Sequence, residues 1–222
     1  MSFELELELE LASGAEGRWT NVPARRALVC VNGGTAADLP GTWSSSVEWL
    51  VRRLAPRFPE LGFLEVRYRT KSWRRLELCI EDARSALDAA RAAGAVELAL
   101  LGYSMGGAVA VHVAAEPAVR TVIALAPWLY PQLDLGTLRD RRLAIVHGSM
   151  DRGLPGIPGV KPALSLAGYT RARALRIDAV RTVIPLASHA IALRRRSGGL
   201  LALPRAARWE ELVAEELERF CA

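Results

Sequence analysis

The N-terminal part of this chain shows two patterns of apolar and polar residues, an alternating one and a continuous apolar run. At residues 3–11 Phe or Leu alternates with Glu at every position, a period of two that predicts a half-exposed strand near the edge of a sheet. Residues 26–31 form a nearly continuous apolar run, which is typical of a strand buried on both faces. That run ends in Asn32, Gly33 and Gly34, as expected where a parallel central strand gives way to a glycine loop.

Strand and helix patterns then alternate to the end of the chain. At residues 44–57 apolar side chains recur at helical spacing after a serine cluster that can cap a helix. The same criteria predict further strands at residues 62–68, 96–101, 119–125, 143–146 and 180–186, and further helices at residues 75–93, 108–115, 163–175 and 206–220. This order predicts an α/β fold, a mostly parallel central sheet flanked by helices on both faces, with ligands bound beyond the carboxyl ends of the strands.

The composition favours a single globular domain over residues 1–222. The chain is 51% hydrophobic and 24% charged, which is typical of a protein with one packed core. No apolar run approaches the ~18 residues that a membrane-spanning helix needs, and residues 1–10 are acidic where a secretory signal is basic and then apolar. We therefore expect a cytoplasmic protein without a membrane partner.

The cysteines and the basic residues of the chain argue against disulfides, a metal site and a nucleic-acid partner. The three cysteines, Cys30, Cys79 and Cys221, are an odd set without metal-ligand spacing, so neither a disulfide framework nor a metal site is expected. The net charge is +5, but the one dense basic cluster, at residues 194–196, lacks interleaved aromatic residues and a basic helix face. We interpret it as a solvated surface turn, with an anion or acyl-carrier contact as the alternative, and expect no nucleic-acid partner.

The sequence Gly102-Tyr103-Ser104-Met105-Gly106 matches the pattern Gly-x-Ser-x-Gly. The bare pattern is a weak signal, but here a predicted strand runs into it and a predicted helix follows it. In that context the serine lies on a sharp turn with its hydroxyl above the sheet, and the glycines leave room for neighbouring backbone. Ser104 is therefore the candidate nucleophile, and the alternative is a glycine-rich turn with an incidental serine.

A serine hydroxyl needs a base to remove its proton, and the chain has three histidines. His189 follows the last predicted strand, at the same carboxyl edge of the sheet as Ser104, and is the candidate base. His112 is interpreted as structural, because its position on the helix after Ser104 carries it away from the hydroxyl. His147 is interpreted as a hydrogen-bonding residue at the end of a strand.

A histidine base needs a carboxylate that holds its tautomer and stabilises the imidazolium. Asp151 follows the predicted strand at residues 143–146 and lies between Ser104 and His189 in sequence, which gives the chain order serine, acid, histidine. Asp134, in the loop after the preceding strand, is the alternative acid. Because Asp151 lies near Gly and Pro residues, its alternative role is to form a turn.

Attack by the serine creates an oxyanion, which backbone N–H groups stabilise. The N–H of Met105 is fixed by the serine turn itself, and a second donor is expected from the glycine loop, from Gly34 or else Thr35. An ordinary strand-ending turn is the alternative role for Gly33 and Gly34.

Four aromatic residues follow predicted strands at the same edge of the sheet: Trp43, Trp73, Trp128 and Tyr130. They are candidates for an apolar pocket that holds an acyl or aromatic group, although core packing or surface exposure is the favoured explanation for any one of them taken alone. Arg67 and Arg69 lie near this edge too, where salt bridges to neighbouring residues are expected rather than contact with an anionic substrate.

In this order the glycine loop, serine turn, acid loop and histidine loop resemble the α/β-hydrolase family, from the strand of Cys30 to the last helix. The resemblance implies hydrolysis of an ester, thioester, amide or carbon–carbon bond without a metal or organic cofactor. Two departures stand out: Asn32 occupies the place where many members have a histidine, and only a short stretch separates residues 126 and 143, where a lid is commonly inserted. We therefore expect a minimal fold with an open site and no cap domain.

On these grounds we expect Ser104 to attack a carboxylic ester and form an acyl-enzyme, which water then cleaves with His189 as general base. The expected partner is a small-molecule acyl substrate, and the sequence leaves the oligomeric state open. One alternative is a thioesterase that acts on acyl-CoA or an acyl carrier. Another is a hydrolase-fold protein that binds a ligand without catalysis, although such a protein has no need of Ser104, Asp151 and His189 together.

Overall fold

The computed structural model describes residues 7–23, 25–152 and 159–222. Its strands are β1 (Leu7–Glu10), β2 (Glu16–Thr20), β3 (Arg26–Val31), β4 (Leu39–Pro40), β5 (Leu61–Arg67), β6 (Thr70–Lys71), β7 (Glu97–Tyr103), β8 (Val119–Leu125), β9 (Arg142–Gly148), β10 (Asp178–Ile184), β11 (Ala192–Arg194) and β12 (Leu200–Ala202). Its α-helices are α1 (Ser45–Leu54), α2 (Leu76–Ala92), α3 (Met105–Val113), α4 (Pro162–Ala174) and α5 (Ala206–Cys221).

Within the described residues, eight strands form one sheet in the order β1-β2-β5-β3-β7-β8-β9-β10. All pairs from β5 to β10 are parallel, and the pairs β1·β2 and β2·β5 are antiparallel. The register aligns the end of β3 with that of β7, because Val31 lies opposite Gly102. The predicted mostly parallel sheet is confirmed, and its parallel strands end at one common edge.

Helices cover both faces of this sheet and divide the core in two. The core under α2, α3 and α4 includes Val29, Leu100 and Met105, and the core under α1 and α5 includes Leu28, Leu101 and Trp209. Successive residues of a strand point to opposite faces, so each central strand supplies both cores. Cys30 and Cys79 are buried with free thiols, as small core residues.

The antiparallel edge of the sheet holds a strand that the hydrophobic pattern did not predict. β2 has the sequence EGRWT, and its polar Arg18 is only 6% exposed because it donates to the buried carboxylate of Glu65 on β5 at 2.7 Å. Because a charged residue occupies a buried position of β2, the strand lacks the alternation of apolar and polar residues on which its prediction would rely. β1 is the outermost strand, as predicted, and residues 3–6 of the predicted strand lie outside the described residues.

Short elements complete the carboxyl edge. β4 pairs with β6, and β11 pairs with β12 in a hairpin. Residues 126–141, between β8 and β9, contain only a short 3-10 turn at Gly136–Leu138, so no lid is inserted at this place. Among the described residues, no helix is long and apolar enough to cross a membrane.

Candidate active site

Ser104 occupies a sharp turn between β7 and α3. Its backbone has φ 57° and ψ −118°, a conformation that costs a non-glycine residue about 1–3 kcal/mol. A Cβ atom at Gly102 would lie 2.4 Å from the carbonyl oxygen of Gly106, and one at Gly106 would lie 2.4 Å from that of Val31. The two glycines of the motif are therefore required by close backbone packing, and the turn lifts the serine hydroxyl above the end of β7.

The side chain of His189 reaches this hydroxyl from the loop between β10 and β11. Its Nε2 atom lies 3.1 Å from Ser104 Oγ, within hydrogen-bonding distance. The phenol of Tyr103 donates to the His189 carbonyl oxygen at 3.1 Å, which fixes the loop beside the serine turn. Burial raises the pKa of the Tyr103 phenol well above its usual range, with a smaller contribution from the charge of Asp151, so this group stays a neutral donor.

Asp151 lies behind the imidazole of His189. Its Oδ2 atom accepts a hydrogen bond from His189 Nδ1 at 2.7 Å, and its Oδ1 atom accepts one from the backbone N–H of Val160 at 3.0 Å. Because a carboxylate only accepts, Nδ1 carries the proton and Nε2 is free to accept the proton of Ser104. The structure thus brings together the three residues predicted to act as nucleophile, base and acid.

A second histidine, not predicted to lie here, meets the same carboxylate. The Nε2 atom of His147 lies 3.0 Å from Asp151 Oδ2 and 2.8 Å from the carbonyl oxygen of Val160, and its side chain is fully buried. Both neighbours are acceptors, so Nε2 carries the proton, while Nδ1 has no partner within the described part of the chain. No signal in the sequence marked this contact, because His147 lies within β9 and meets Asp151 only when the turn after the strand folds back on it.

The Asp151 carboxylate is stabilised in its charged form. Burial, the largest influence, raises its pKa, but hydrogen bonds from His147 and His189 together outweigh burial and hold the pKa below its ordinary value. The negative charge that faces the imidazole is therefore maintained throughout the neutral range.

Asp134 and His112 lie apart from this arrangement. Asp134 Oδ1 accepts the backbone N–H of Gly136 at 2.7 Å in an exposed turn, which is the turn-forming role considered above for Asp151. His112 Nε2 forms a hydrogen bond of 2.9 Å with the hydroxyl of Tyr130. Burial is the main reason why the pKa of His112 is lowered.

The glycine loop after β3 packs directly against the serine turn. A Cβ atom at Gly33 would lie 3.2 Å from Ser104 Cβ, and one at Gly34 would lie 2.3 Å from the sulfur of Met105. Thr35, the alternative donor, uses its N–H to bond the carbonyl oxygen of Lys71 at 3.3 Å. Of the two alternatives for the second oxyanion donor, this geometry favours the N–H of Gly34.

Two of the predicted pocket tryptophans cluster beside the serine turn with Tyr130. The ring centroids of Trp73 and Trp128 are 6.3 Å apart, and those of Trp128 and Tyr130 are 4.8 Å apart. The N–H of Trp128 donates to the carbonyl oxygen of Ser104 at 2.9 Å. Because Trp73 is 37% exposed and Trp128 is partly exposed, this cluster offers an apolar surface close to Ser104.

The third predicted tryptophan, Trp43, lies apart from this cluster: it lines a cavity on the side of the glycine loop and packs against two arginines. The guanidinium groups of Arg18 and Arg67 lie 4.5 Å and 5.6 Å from its ring centroid. Arg67 also pairs with Glu16, and Arg69 pairs with Asp82 at 2.7 Å and with Glu81 at 2.5 Å. The two arginines near the site thus form the salt bridges expected of them.

The prediction that residues 194–196 form a solvated surface turn is wrong for Arg194. The segment around Arg195 and Arg196 is an exposed hairpin turn, as predicted, but Arg194 belongs to β11 and pairs with the buried carboxylate of Glu48. Its charge is balanced within the protein, so Arg194 is not simply solvated.

The chain is similar to one protein family in sequence and to several solved structures in fold. The sequence matches the alpha/beta hydrolase family over residues 28–219. An alpha-beta serine hydrolase homologue from Coxiella burnetii is 16% identical with a TM-score of 0.67, covering 98% of this chain and 99% of its own. A dienelactone hydrolase-like promiscuous phosphotriesterase from metagenomic libraries is 17% identical with a TM-score of 0.70, covering 96% of both chains.

An esterase from Pyrococcus furiosus is 14% identical with a TM-score of 0.65, covering 97% of this chain and 90% of its own. At such identities the likeness concerns the fold and not the substrate. No curated protein matches the sequence.

Proposed function

The chain belongs to the alpha/beta hydrolase family, and from that premise we propose that it cleaves a carboxylic ester through an acyl-enzyme on Ser104. The observation that carries the proposal is the continuous hydrogen-bonded chain from Ser104 Oγ through the His189 imidazole to Asp151. A binding protein has no need of a strained serine turn aimed at a histidine whose tautomer a buried carboxylate fixes.

The first half of the reaction acylates the serine. His189 Nε2 accepts the proton of Ser104 as Oγ attacks the ester carbonyl carbon, and Asp151 stabilises the imidazolium that forms. The N–H groups of Met105 and Gly34 stabilise the oxyanion of the tetrahedral intermediate. The intermediate collapses when His189 returns the proton to the departing alcohol, which leaves the acyl group on Ser104.

The second half releases the acid. Water replaces the alcohol, gives a proton to His189 and attacks the acyl-enzyme carbonyl. Collapse of this second intermediate returns the proton to Ser104 Oγ and frees the carboxylic acid. The aromatic surface of Trp73 and Trp128 supports an apolar acyl or alkoxy group, and the expected substrate is a small molecule.

The test is hydrolysis of p-nitrophenyl esters from acetate to long-chain acyl groups. Ser104→Ala and His189→Ala should each lower kcat by on the order of a millionfold if the residues act as one unit. Ser197→Ala is the matched control, because this serine is exposed in the hairpin turn and should leave kcat unchanged. Equal activity in the wild type and in Ser104→Ala would refute the proposal. Thioester hydrolysis without ester hydrolysis would favour the thioesterase alternative.

A further inference from the structure

A cavity opens beside the serine turn, on the side of the glycine loop. Its volume is about 250 Å³, and its lining includes Gly33, Gly34 and Tyr103. Because Gly33 packs against Ser104, this cavity borders the place where an ester carbonyl would lie. A substrate attacked by Ser104 can therefore extend into it.

The charge of the cavity is carried by one side chain. Among the residues that the structure describes, Lys71 is the only charged one in a lining that otherwise consists of small, hydroxyl-bearing, amide and apolar residues. Its Nζ donates to the hydroxyl of Thr42 at 2.8 Å, and no carboxylate of the described residues lies within 4.0 Å of it. A lysine ammonium has three N–H donors, so two of them remain for a ligand.

The other cations on this side differ from Lys71 in having carboxylate partners. Arg67 pairs with Glu16, and Arg18 pairs with Glu65 at 2.7 Å. An anionic ligand group would have to compete with those pairs for either arginine. Lys71 requires no such exchange.

Lys71 is also held in place by its backbone. It belongs to β6, which pairs with β4, and its carbonyl oxygen accepts a hydrogen bond from the N–H of Thr35 at 3.3 Å. Thr35 directly follows the Gly33–Gly34 loop, so the lysine and the proposed oxyanion donor Gly34 are parts of one connected structure. Only the side chain of Lys71 has to move to meet a ligand.

We propose that this cavity is a subsite for a carboxylate group of the substrate, and that Lys71 binds that carboxylate while Ser104 attacks the ester. A single ammonium matches a single negative charge, and the charge-assisted hydrogen bonds are stronger than those to neutral groups. The first turn of α1 borders the same cavity, and the positive end of its dipole favours the same sign of charge. This inference rests on the proposed ester hydrolysis and names the substrate class, an ester of low molecular mass that bears a free carboxylate.

The test uses pairs of esters that differ only by methylation of the carboxylate. Monomethyl glutarate against dimethyl glutarate places the charge on the acyl side, and 3-acetoxypropanoate against its methyl ester places it on the alcohol side. For one of these pairs the wild type should prefer the anion in kcat/KM, and Lys71→Met should lower that preference by about tenfold or more. Lys71→Arg should keep most of the preference. Lys161→Met is the matched control, because Lys161 lies at the start of α4 and is the chain's only other lysine.

Binding keeps this test independent of turnover. In a ligand-observed NMR titration of Ser104→Ala, the anionic ester should bind more tightly than its neutral partner, and the Ser104→Ala/Lys71→Met double variant should lose the difference. The preference should also weaken as NaCl is raised, because Lys71 is partly exposed. Anion preferences that are unchanged by Lys71→Met in both measurements would overturn the subsite. Lys71-dependent binding without turnover of any ester would support the subsite and overturn the proposed function instead.

Discussion

Ser104, His189 and Asp151 each have one role in the proposed reaction. The role of Asp151 as the acid can be tested separately from the other two. Asp151→Asn should lower kcat by about ten-thousandfold, because the amide no longer holds His189 in the tautomer that accepts the serine proton. Asp134→Asn should leave kcat close to that of the wild type, since Asp134 caps an exposed turn. Steady-state ester hydrolysis measures both. A severe loss in Asp134→Asn with a mild one in Asp151→Asn would reverse the assignment.

His147 should act on the reaction only through Asp151. His147→Leu removes a donor from the buried carboxylate and from the carbonyl of Val160, which should lower the free energy of unfolding by about 1–3 kcal/mol. We expect kcat to fall with little change in KM, and His147→Gln, which keeps a donor near the position of Nε2, to recover part of both losses. Urea unfolding and steady-state kinetics give the two readouts. A rise in KM at constant kcat would contradict this role.

The sequence indicated that Ser104, Asp151 and His189 lie close together, because each follows a parallel strand and such strands end at one edge. It could not indicate that His147 meets Asp151, since that contact depends on how the turn after β9 folds back on the strand. The choice between Gly34 and Thr35 was equally out of reach, because it depends on a hydrogen bond to Lys71, far away in sequence. Position along a strand is a local property, whereas these contacts are tertiary.

At the scale of elements, the serine turn depends on backbone contacts that only glycine permits. Gly106→Ala should lower the free energy of unfolding by about 2 kcal/mol or more, because its Cβ would meet the rigid carbonyl of Val31. Gly199→Ala is the matched control, since a Cβ there meets no atom within 4 Å. Urea unfolding compares the two variants. Equal stability of both would show that the turn is not packed as described.

Helices and strands with a clear periodicity of apolar residues were predicted close to their observed bounds. Strands that are held by polar contacts, or that are too short to show a period, were not predicted. The strand predicted at residues 119–125 coincides with β8 (Val119–Leu125). β2 was missed because Arg18, a core-facing position, is polar and pairs with Glu65. The two-residue strands β4 and β6 escape any periodic search because two residues cannot show a period.

At the scale of the whole molecule, Asp151 links the active site to the stability of the fold in acid. Its pKa is lowered in the folded protein, so its contribution is complete above the ordinary carboxyl pKa of 3.8 and is lost as the pH falls through the lower folded value. The free energy of unfolding should therefore fall less steeply for Asp151→Asn than for the wild type as the pH is lowered below about 4. Urea unfolding at a series of pH values measures both slopes. A steeper fall in Asp151→Asn would contradict the lowered pKa.

The overall architecture followed from the alternation of strands and helices, which leaves few arrangements once crossovers are right-handed. The strand order was not predicted, and it is the order that places the loops after β3, β7, β9 and β10 around one site. The short segment between β8 and β9 correctly indicated that no lid is inserted there.

Covalent labelling with a fluorophosphonate, followed by intact-mass and peptide mass spectrometry, shows directly whether Ser104 is an activated nucleophile. We expect one adduct on Ser104 in the wild type, none in Ser104→Ala, and strongly slowed labelling in His189→Ala. An adduct on another residue, or equal labelling of the wild type and His189→Ala, would contradict this expectation.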